Sequence, residues 1–365
     1  MVCGIGGRSR LKTYLFVVLI SVVALSILQY MINKNAGTVL KTSDLTQNMS
    51  MSQWRSTTIS TRNLDKCSEM QNNVAKAINI STELDNLNIT EDGNSILKPG
   101  GRYRPITSVA KHRVAVIVPY RDRETHLKIF LNHMHPFLQR QQLDYGIFVV
   151  ESIPDVKFNR ALLLNIGFVE ASKLYEYDCF VFHDVDLLPE NDGISYNCDH
   201  SPTHLSSAID VKKYKLPYHS YFGGVCAFSK EHFKKINGFS NIYFGWGGED
   251  DDIHERIKYS HLKLTRLSSQ LGRYKMLKHE HAKQNPDKML LFKTMKTRHS
   301  SDGLNSLKYH VIKQDYKRLY SWILVSINET EIIESEPIHK QAFNQEIVNT
   351  KSNYTAKRKN KKSYI

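Results

Sequence analysis

Four successive carboxylates, Glu249, Asp250, Asp251 and Asp252, end the segment F-G-W-G-G-E-D-D-D at 244–252. Neighbouring like charges repel by roughly 1 kcal/mol per pair in water-like surroundings and by more when partly buried. A folded chain therefore keeps such a run where something spreads or uses its charge. Gly247 and Gly248 let the backbone come close to a ligand, and the apolar period from Ile253 predicts a helix from Glu249 to about Lys263. A helix N-terminus favours anionic side chains and is expected to keep them ionised. Ionised carboxylates beside a glycine-walled opening suit a general base or a polyol-binding site. An acidic helix start with no further role has the same composition.

A second acidic pair, Asp184 and Asp186 around Val185, directly follows the short apolar run Cys179–Phe182. In open α/β sheets ligands gather beyond the carboxyl ends of the strands. Two carboxylates there can hold ribose hydroxyls and a hard divalent cation, which takes oxygen ligands and neutralises a diphosphate. V-P-Y-R-D-R at 118–123 ends another apolar run, so Pro119, Tyr120, Arg121 and Arg123 share that edge. Planar guanidinium forks clamp phosphate oxygens. Phe158, Asn159 and Arg160 add a ring, an amide and a third guanidinium at a helix start. Met276 and His279 offer a soft thioether and an imidazole; manganese fits if His279 reaches the Asp184–Asp186 pair.

These residues need a scaffold. Val114–Val118 reads as a buried strand ended by Pro119, followed by a helix from about Thr125 to Gln141 that Pro136 should kink or split. Tyr145–Val150 is the next strand and Asn159–Tyr175 the next helix, with Cys179–Phe182 a further short strand. Alternating strands and helices predict an α/β fold with a mainly parallel sheet. Ser229–Gly238 carries a Ser cap and a Gly stop. After about Asn328 the pattern fades into a polar tail.

The 365 residues carry a formal charge of +14, enough to raise a nucleic-acid reading. Much of the excess lies in the tails (Arg8, Arg10 and Lys12; Lys357, Arg358, Lys359, Lys361 and Lys362), with no nucleic-acid module between them. No nucleic-acid partner is expected. Tyr14–Ile32 is a 19-residue uncharged stretch long enough to span a bilayer. The basic residues before it keep the N-terminus cytoplasmic and put the rest in the lumen. Gln29, Tyr30 and Met31 are unlike a small-residue cleavage site, which favours an anchor over a cleaved signal. Residues 1–13 then form a cytoplasmic tail, 14–32 the signal-anchor, 33–99 a polar stem, 100–325 the folded domain and 326–365 the tail. Sequons at Asn48, Asn79, Asn88, Asn328 and Asn353 suit a lumenal chain. Cys67, Cys179, Cys198 and Cys226 would meet an oxidising compartment, although spacing alone does not fix their pairing.

Together the segments resemble the β-1,4-galactosyltransferase family. They are G-G-R-Y-R-P at 100–105, V-P-Y-R-D-R at 118–123, L-Q-R-Q-Q-L-D-Y-G-I at 138–147, F-N-R-A at 158–161 and F-H-D-V-D-L-L-P at 182–189. Y-F-G-G-V at 221–225, F-G-W-G-G-E-D-D-D at 244–252, M-L-K-H at 276–279 and S-D-G-L-N-S-L at 301–307 complete the set, in the family's order. The resemblance implies a GT-A nucleotide-sugar fold, Golgi residence as a single-pass type II membrane protein, and manganese as cofactor. It implies inverting transfer of galactose from UDP-galactose to terminal N-acetylglucosamine in a β-1,4 linkage. N-acetylgalactosamine transfer and galactosylation of glucosylceramide are the same-fold alternatives; a glycan-binding protein without turnover is one of another class.

Carried over by motif, Asp186, Met276 and His279 would bind the metal, and Asp184 and Val185 the nucleotide. Pro119, Tyr120, Arg121, Arg123, Phe158, Asn159 and Arg160 would surround UDP, with Trp246 against the donor phosphates and sugar. Asp250 would deprotonate the acceptor hydroxyl, with Glu249 beside it. Tyr218, Tyr221, Gly248 and Asp251 would line the acceptor pocket. A bulky Tyr221 leaves little room for a 2-acetamido group, which favours galactose as the donor sugar. The resemblance also implies a Cys179–Cys198 disulfide and a buried, unpaired Cys226, and leaves Cys67 without its expected partner near Ile106–Ser108. Phe244, His183 and the stretch Lys288–Phe292 depart from the family pattern, so the acceptor is less fixed than the donor.

Overall fold

The computed structural model describes residues 76–82, 96–106, 109–280 and 282–335. The expected anchor at 14–32, Cys67, and the sequons at Asn48, Asn88 and Asn353 lie outside them, and no described helix is long and apolar enough to cross a membrane. Strand β1 (Arg113–Tyr120) is apolar from Val114 to Pro119 because both its faces are covered there. Val114, Val116 and Val118 pack into one apolar cluster, and Ala115 and Ile117 into another on the opposite side. Helix α1 (Glu124–Arg140) closes the first face and α2 (Arg160–Leu174) the second. At Gly167 the second helix lies so close to the sheet that an added Cβ would sit 2.2 Å from Ile117 Cγ2. Burying each such aliphatic side chain stabilises the fold by about 1.5–3 kcal/mol.

Strand β2 (Asp144–Ser152) pairs parallel with β1 in register from Arg113↔Asp144 to Tyr120↔Glu151, and β3 (Cys179–Phe182) pairs parallel on the other side. Next in the chain come β4 (Leu187–Pro189), β5 (Thr203–His204), β6 (Ala208–Ile209), β7 (Cys226–Ser229) and α3 (Lys230–Lys235). They are followed by α4 (Glu249–Tyr259), β8 (Thr265–Arg266), β9 (Arg273–Met276), α5 (Lys288–Lys293), α6 (Met295–Arg298), β10 (His310–Tyr316), β11 (Ser321–Ser326) and α7 (Glu329–Ser335). The main sheet has eight strands in the order β10-β11-β2-β1-β3-β7-β5-β8, and a second sheet has the order β4-β9-β6. The expected parallel pattern holds for β11-β2-β1-β3, whereas β7 and β10 run antiparallel to their neighbours. The small sheet and the β10–β11 hairpin follow from no clear period in the sequence.

Several boundaries differ from expectation. Pro119 does not end β1 but pairs with Val150 inside it. Ile117 turns its carbonyl to the His183 N–H on the β3 side, so the alternate residue Pro119 faces that side too, beyond β3's last residue, where no donor is needed. Pro136 does not split α1, which runs through it. Helix α4 stops at Tyr259 instead of Lys263, because His261 turns left-handed at φ 55° and Leu262 N–H closes the end on the Ile257 carbonyl. Order continues past the polar boundary at 326: Ile332 of α7 is buried in the core. The disulfide Cys179–Cys198 is present, and Cys226 is buried and free.

The acidic run at the start of α4 is accommodated by a buried four-charge cluster. Arg256 lies 2.5 Å from Asp252 and 3.2 Å from Asp302, while Arg298 lies 3.1 Å from Asp252 and also pairs with Asp302. Tyr243 O–H donates to Asp252 at 3.0 Å, and Asp302 accepts the Asn241 N–H at 2.7 Å. Two guanidiniums against two carboxylates make the cluster neutral, which a dry interior requires. It ties α4 to α6 and to the turn before β10. Replacing Arg256 with Met leaves the two carboxylates sharing one cation, an expected loss of about 3–5 kcal/mol. Denaturant unfolding of Arg256→Met measures this; a loss under about 1 kcal/mol contradicts it.

Candidate active site

The carboxyl ends of β1 and β3, the start of α2 and the first turn of α4 bring the expected chemistry together. Arg160 Nε lies 2.6 Å from Asp184 Oδ1, and its Nη1 lies 3.9 Å from Glu249 Oε1. One guanidinium therefore couples the β3 turn to α4. Asp186 Oδ2 lies 2.7 Å from His279 Nε2 and 3.4 Å from Arg123 Nη1. Met276 pairs with Leu187 across the small sheet, and the Leu277 N–H donates to the Asp186 carbonyl at 2.7 Å. The sheet thus carries Met276 and His279 to the Asp184–Asp186 turn.

The two carboxylates of that turn are pushed apart. Burial raises the Asp184 pKa, helped by Asp186 and Asp250 and opposed by Arg160. Burial also works on Asp186, but the hydrogen bond and charge of His279, with Arg123, hold its carboxyl below the usual range. His279 is raised in turn, first by its hydrogen bond to Asp186. Among the described residues no group of three or more His, Cys, Asp or Glu is arranged around a metal position. An oxygen and a nitrogen donor do meet at Asp186 and His279, with a thioether carried in on β9. The imidazole and thioether in that mixed donor set fit a divalent transition-metal ion such as manganese better than magnesium or calcium.

Gly247 and Gly248 take φ of 101° and 96°, a left-handed backbone that bends the chain into α4. Helix N-termini favour ionised carboxylates, yet the expectation of a fully ionised run fails here. Burial, then the neighbouring Asp250, pushes Glu249 up to about 7, and the same two causes push Asp251 to about 6. Burial outweighs the helix field. Glu249 Oε2 is buried without a hydrogen-bond partner among the described residues. Asp251 accepts from Tyr218 O–H at 3.3 Å. Asp250 accepts its neighbour's Asp251 N–H at 3.0 Å, and among the described residues no side chain bonds to it. Its charge nonetheless acts on Asp184, Lys212, Tyr218 and Tyr221, so it lies near those four groups.

Trp246 is 48% exposed, held by main-chain bonds to Lys283 and Asn285, with the Lys288 ammonium 5.3 Å from its ring. Tyr221 packs edge-on to Tyr218 at 5.6 Å, under the Lys212 ammonium at 3.8 Å. Lys212 was not singled out in the sequence, because V-K-K-Y-K at 211–215 looks like any solvated basic stretch. Three expected nucleotide contacts are engaged otherwise. Arg121 donates to Val156 O at 2.7 Å and to Ser152 Oγ at 2.5 Å, so it braces the loop carrying Phe158, 5.5 Å from that ring. Asn159 is buried, capping α2 at Leu162 N–H and donating to Asn241 O at 2.7 Å. Arg160 is bound to Asp184 as above. Val185 is buried in the apolar core. Tyr120 O–H accepts the Arg123 N–H at 3.2 Å. Of the sequons within the described residues, Asn79 and Asn328 are exposed.

Two family models match consecutive stretches: the N-terminal region of glycosyl transferase group 7 at residues 67–199, and a galactosyltransferase domain at 203–280. The chain is 47% identical over 244 residues to bovine beta-1,4-galactosyltransferase 1, covering 66% of this chain and 61% of the relative. It is 48% identical over 229 residues to beta-1,4-galactosyltransferase 4 of Cricetulus griseus, covering 62% of this chain and 67% of the relative. The crystal structure of the Drosophila beta-1,4-galactosyltransferase 7 catalytic domain with xylobiose superposes with a TM-score of 0.52 at 31% identity, over 60% of this chain and 94% of that one. A mutant of that enzyme was crystallised with manganese, UDP-Gal and xylobiose. The chain thus spans about 61% of the length of the bovine and human type 1 relatives.

Glu249 gives a measurable signature. Its folded pKa near 7 exceeds its ordinary value near 4.5, so the folded state holds more protons between those limits and stability falls as pH rises through them. Glu249→Gln is expected to flatten that slope between about pH 5 and 7. Parallel wild-type and variant stability curves contradict the assignment.

Proposed function

The chain belongs to the β-1,4-galactosyltransferase family, and from that premise we propose that it transfers galactose from UDP-galactose to a terminal N-acetylglucosamine with inversion, forming a β-1,4 bond. The observation that supports the reading is that Asp186 and His279 meet at the turn after β3, while the charge of Asp250, to which no side chain bonds among the described residues, acts on Asp184 in that same turn. Relatives with this activity at close to half identity, and a related structure holding manganese and UDP-Gal, support it.

In this reading Asp186, Met276 and His279 hold manganese, which when bound supplies Lewis-acid stabilisation of the departing diphosphate. Arg123, already beside Asp186, adds positive charge near the phosphates. Asp250 takes the proton of the acceptor 4-hydroxyl as its oxygen attacks the anomeric carbon from the face opposite UDP. The bond from that carbon to the phosphate oxygen breaks, UDP leaves with the electron pair, and the configuration inverts. Glu249, kept partly protonated by burial, can donate a hydrogen bond to a sugar hydroxyl without adding a second full charge beside the base. Trp246 and Tyr218 supply exposed rings for sugar faces, and Asp251 a hydrogen-bond acceptor. Tyr221, wedged between Lys212 and Tyr218, limits room at the donor 2-position.

The proposal extends to the setting of the domain. Residues 14–32 anchor it in the Golgi membrane as a type II protein, with 33–99 as a lumenal stem and the exposed Asn79 and Asn328 open to glycosylation.

Manganese-dependent release of UDP from UDP-galactose, measured with and without N-acetylglucosamine, tests the activity; absence of acceptor-stimulated release contradicts it. Asp250→Asn is expected to keep UDP binding and lose about 10²–10⁴-fold in transfer, and near-normal turnover refutes the base. Tyr221→Leu is expected to gain N-acetylgalactosamine transfer, whereas a wild-type preference for that donor overturns the sugar assignment.

A further inference from the structure

Behind the cleft, three ring side chains form a polar chain through the core. His183, Tyr196 and Tyr274 are fully buried. His183 Nδ1 lies 2.9 Å from the Asp184 carbonyl oxygen and Nε2 lies 2.8 Å from the Tyr196 hydroxyl. That hydroxyl lies 3.0 Å from the Tyr274 hydroxyl. The sense of the chain is fixed by what each atom can do. A carbonyl only accepts, so His183 carries its proton on Nδ1. Nε2 then offers only a lone pair, so Tyr196 donates to it. With its proton committed, the Tyr196 oxygen accepts from Tyr274.

The two ends of this chain sit on the two backbones that carry the cation-site residues. Asp184, whose carbonyl is held, precedes Asp186 by two positions, and Tyr274 of β9 precedes Met276 by two. Further ties hold the middle: the Tyr196 N–H donates to Gln141 Oε1 at 2.9 Å, and Phe130 of α1 stands edge-on to the His183 ring at 5.0 Å. Among the described residues no hydrogen bond joins these three side chains to the side chains of Asp186, Met276 or His279; each acts through backbone.

We propose that His183, Tyr196 and Tyr274 are positioning residues that set the spacing between the Asp184–Asp186 turn and strand β9, and so the affinity of the site for its divalent cation. The proposal rests on the reading of Asp186, Met276 and His279 as that site. Hydrogen bonds made directly to metal-ligating side chains alter metal affinity by about 10–100-fold when removed; these bonds act one step further out, through backbone, so the low end of that range is expected.

Manganese binding to the full chain, without donor or acceptor, is measured by the electron paramagnetic resonance of free Mn²⁺, alongside thermal unfolding with chelator present. Tyr196→Phe strips His183 Nε2 of its donor and is expected to weaken binding about tenfold. Tyr274→Phe removes the terminal donor and is expected to weaken it less. Phe137→Leu, a core change packed against Tyr196 at 4.9 Å between rings, leaves the chain intact and is expected to lower the melting temperature while binding manganese normally. Wild-type affinity in Tyr196→Phe, or an equal loss in Phe137→Leu, overturns the proposal. If Tyr196→Phe does not fold, wild-type affinity in Tyr274→Phe overturns it. A wild-type chain that binds no manganese, or His279→Ala that binds it normally, removes the cation site and this role with it, a result distinct from normal binding by the tyrosine variants.

Discussion

Crowding four carboxylates into one helical turn is the constraint around which the α4 side of this domain is organised. Each charge meets a different fate. Asp252 turns inward to Arg256 and Arg298. Glu249 faces Arg160 and is driven toward neutrality by burial. Asp251 takes the Tyr218 hydroxyl. Asp250 is left with a main-chain donor alone among the described residues. The turn thus sorts four carboxylates into an anchor, a partly protonated neighbour, a hydrogen-bond acceptor and one to which no side chain bonds among the described residues. Burial is the main means of sorting, and repulsion from Asp250 adds to it at both Glu249 and Asp251.

The sheet supplies the opposite wall. Parallel strands ending at Tyr120 and Phe182 deliver Arg123 and the Asp184–Asp186 turn to one edge, as topology demands of an open α/β sheet. The small sheet then imports Met276 and His279 from far along the chain. Arg160 closes the loop by touching both walls. With the structural relative, the arrangement is a mixed α/β glycosyltransferase fold of the GT-A kind.

Much of this was legible in the residues. The apolar runs at Val114–Val118 and Cys179–Phe182, with motifs at their ends, located the cleft because a doubly covered strand leaves a continuous apolar record. The side chains that hold the cleft together were not legible. Arg121 and Asn159 look like ligand-binding groups, but guanidiniums and amides satisfy backbone groups as readily as phosphates. The charge cluster left a faint trace in Asp252/Arg256 and Arg298/Asp302, each four apart. Joining the two pairs across 46 residues needed the fold. The short strands of the small sheet, three or four residues at most, are too brief to carry a period.

The central claim is that distant motifs share one cation opposite one base. Anomalous diffraction from crystals grown with manganese and UDP tests it directly. The expected result is one manganese peak at roughly 2.0–2.6 Å from Asp186 and His279, in the range of divalent metal–ligand bonds, with UDP phosphates on it and the Asp250 carboxylate across the cleft. A peak bound elsewhere, or UDP bound with no metal near Asp186, contradicts it.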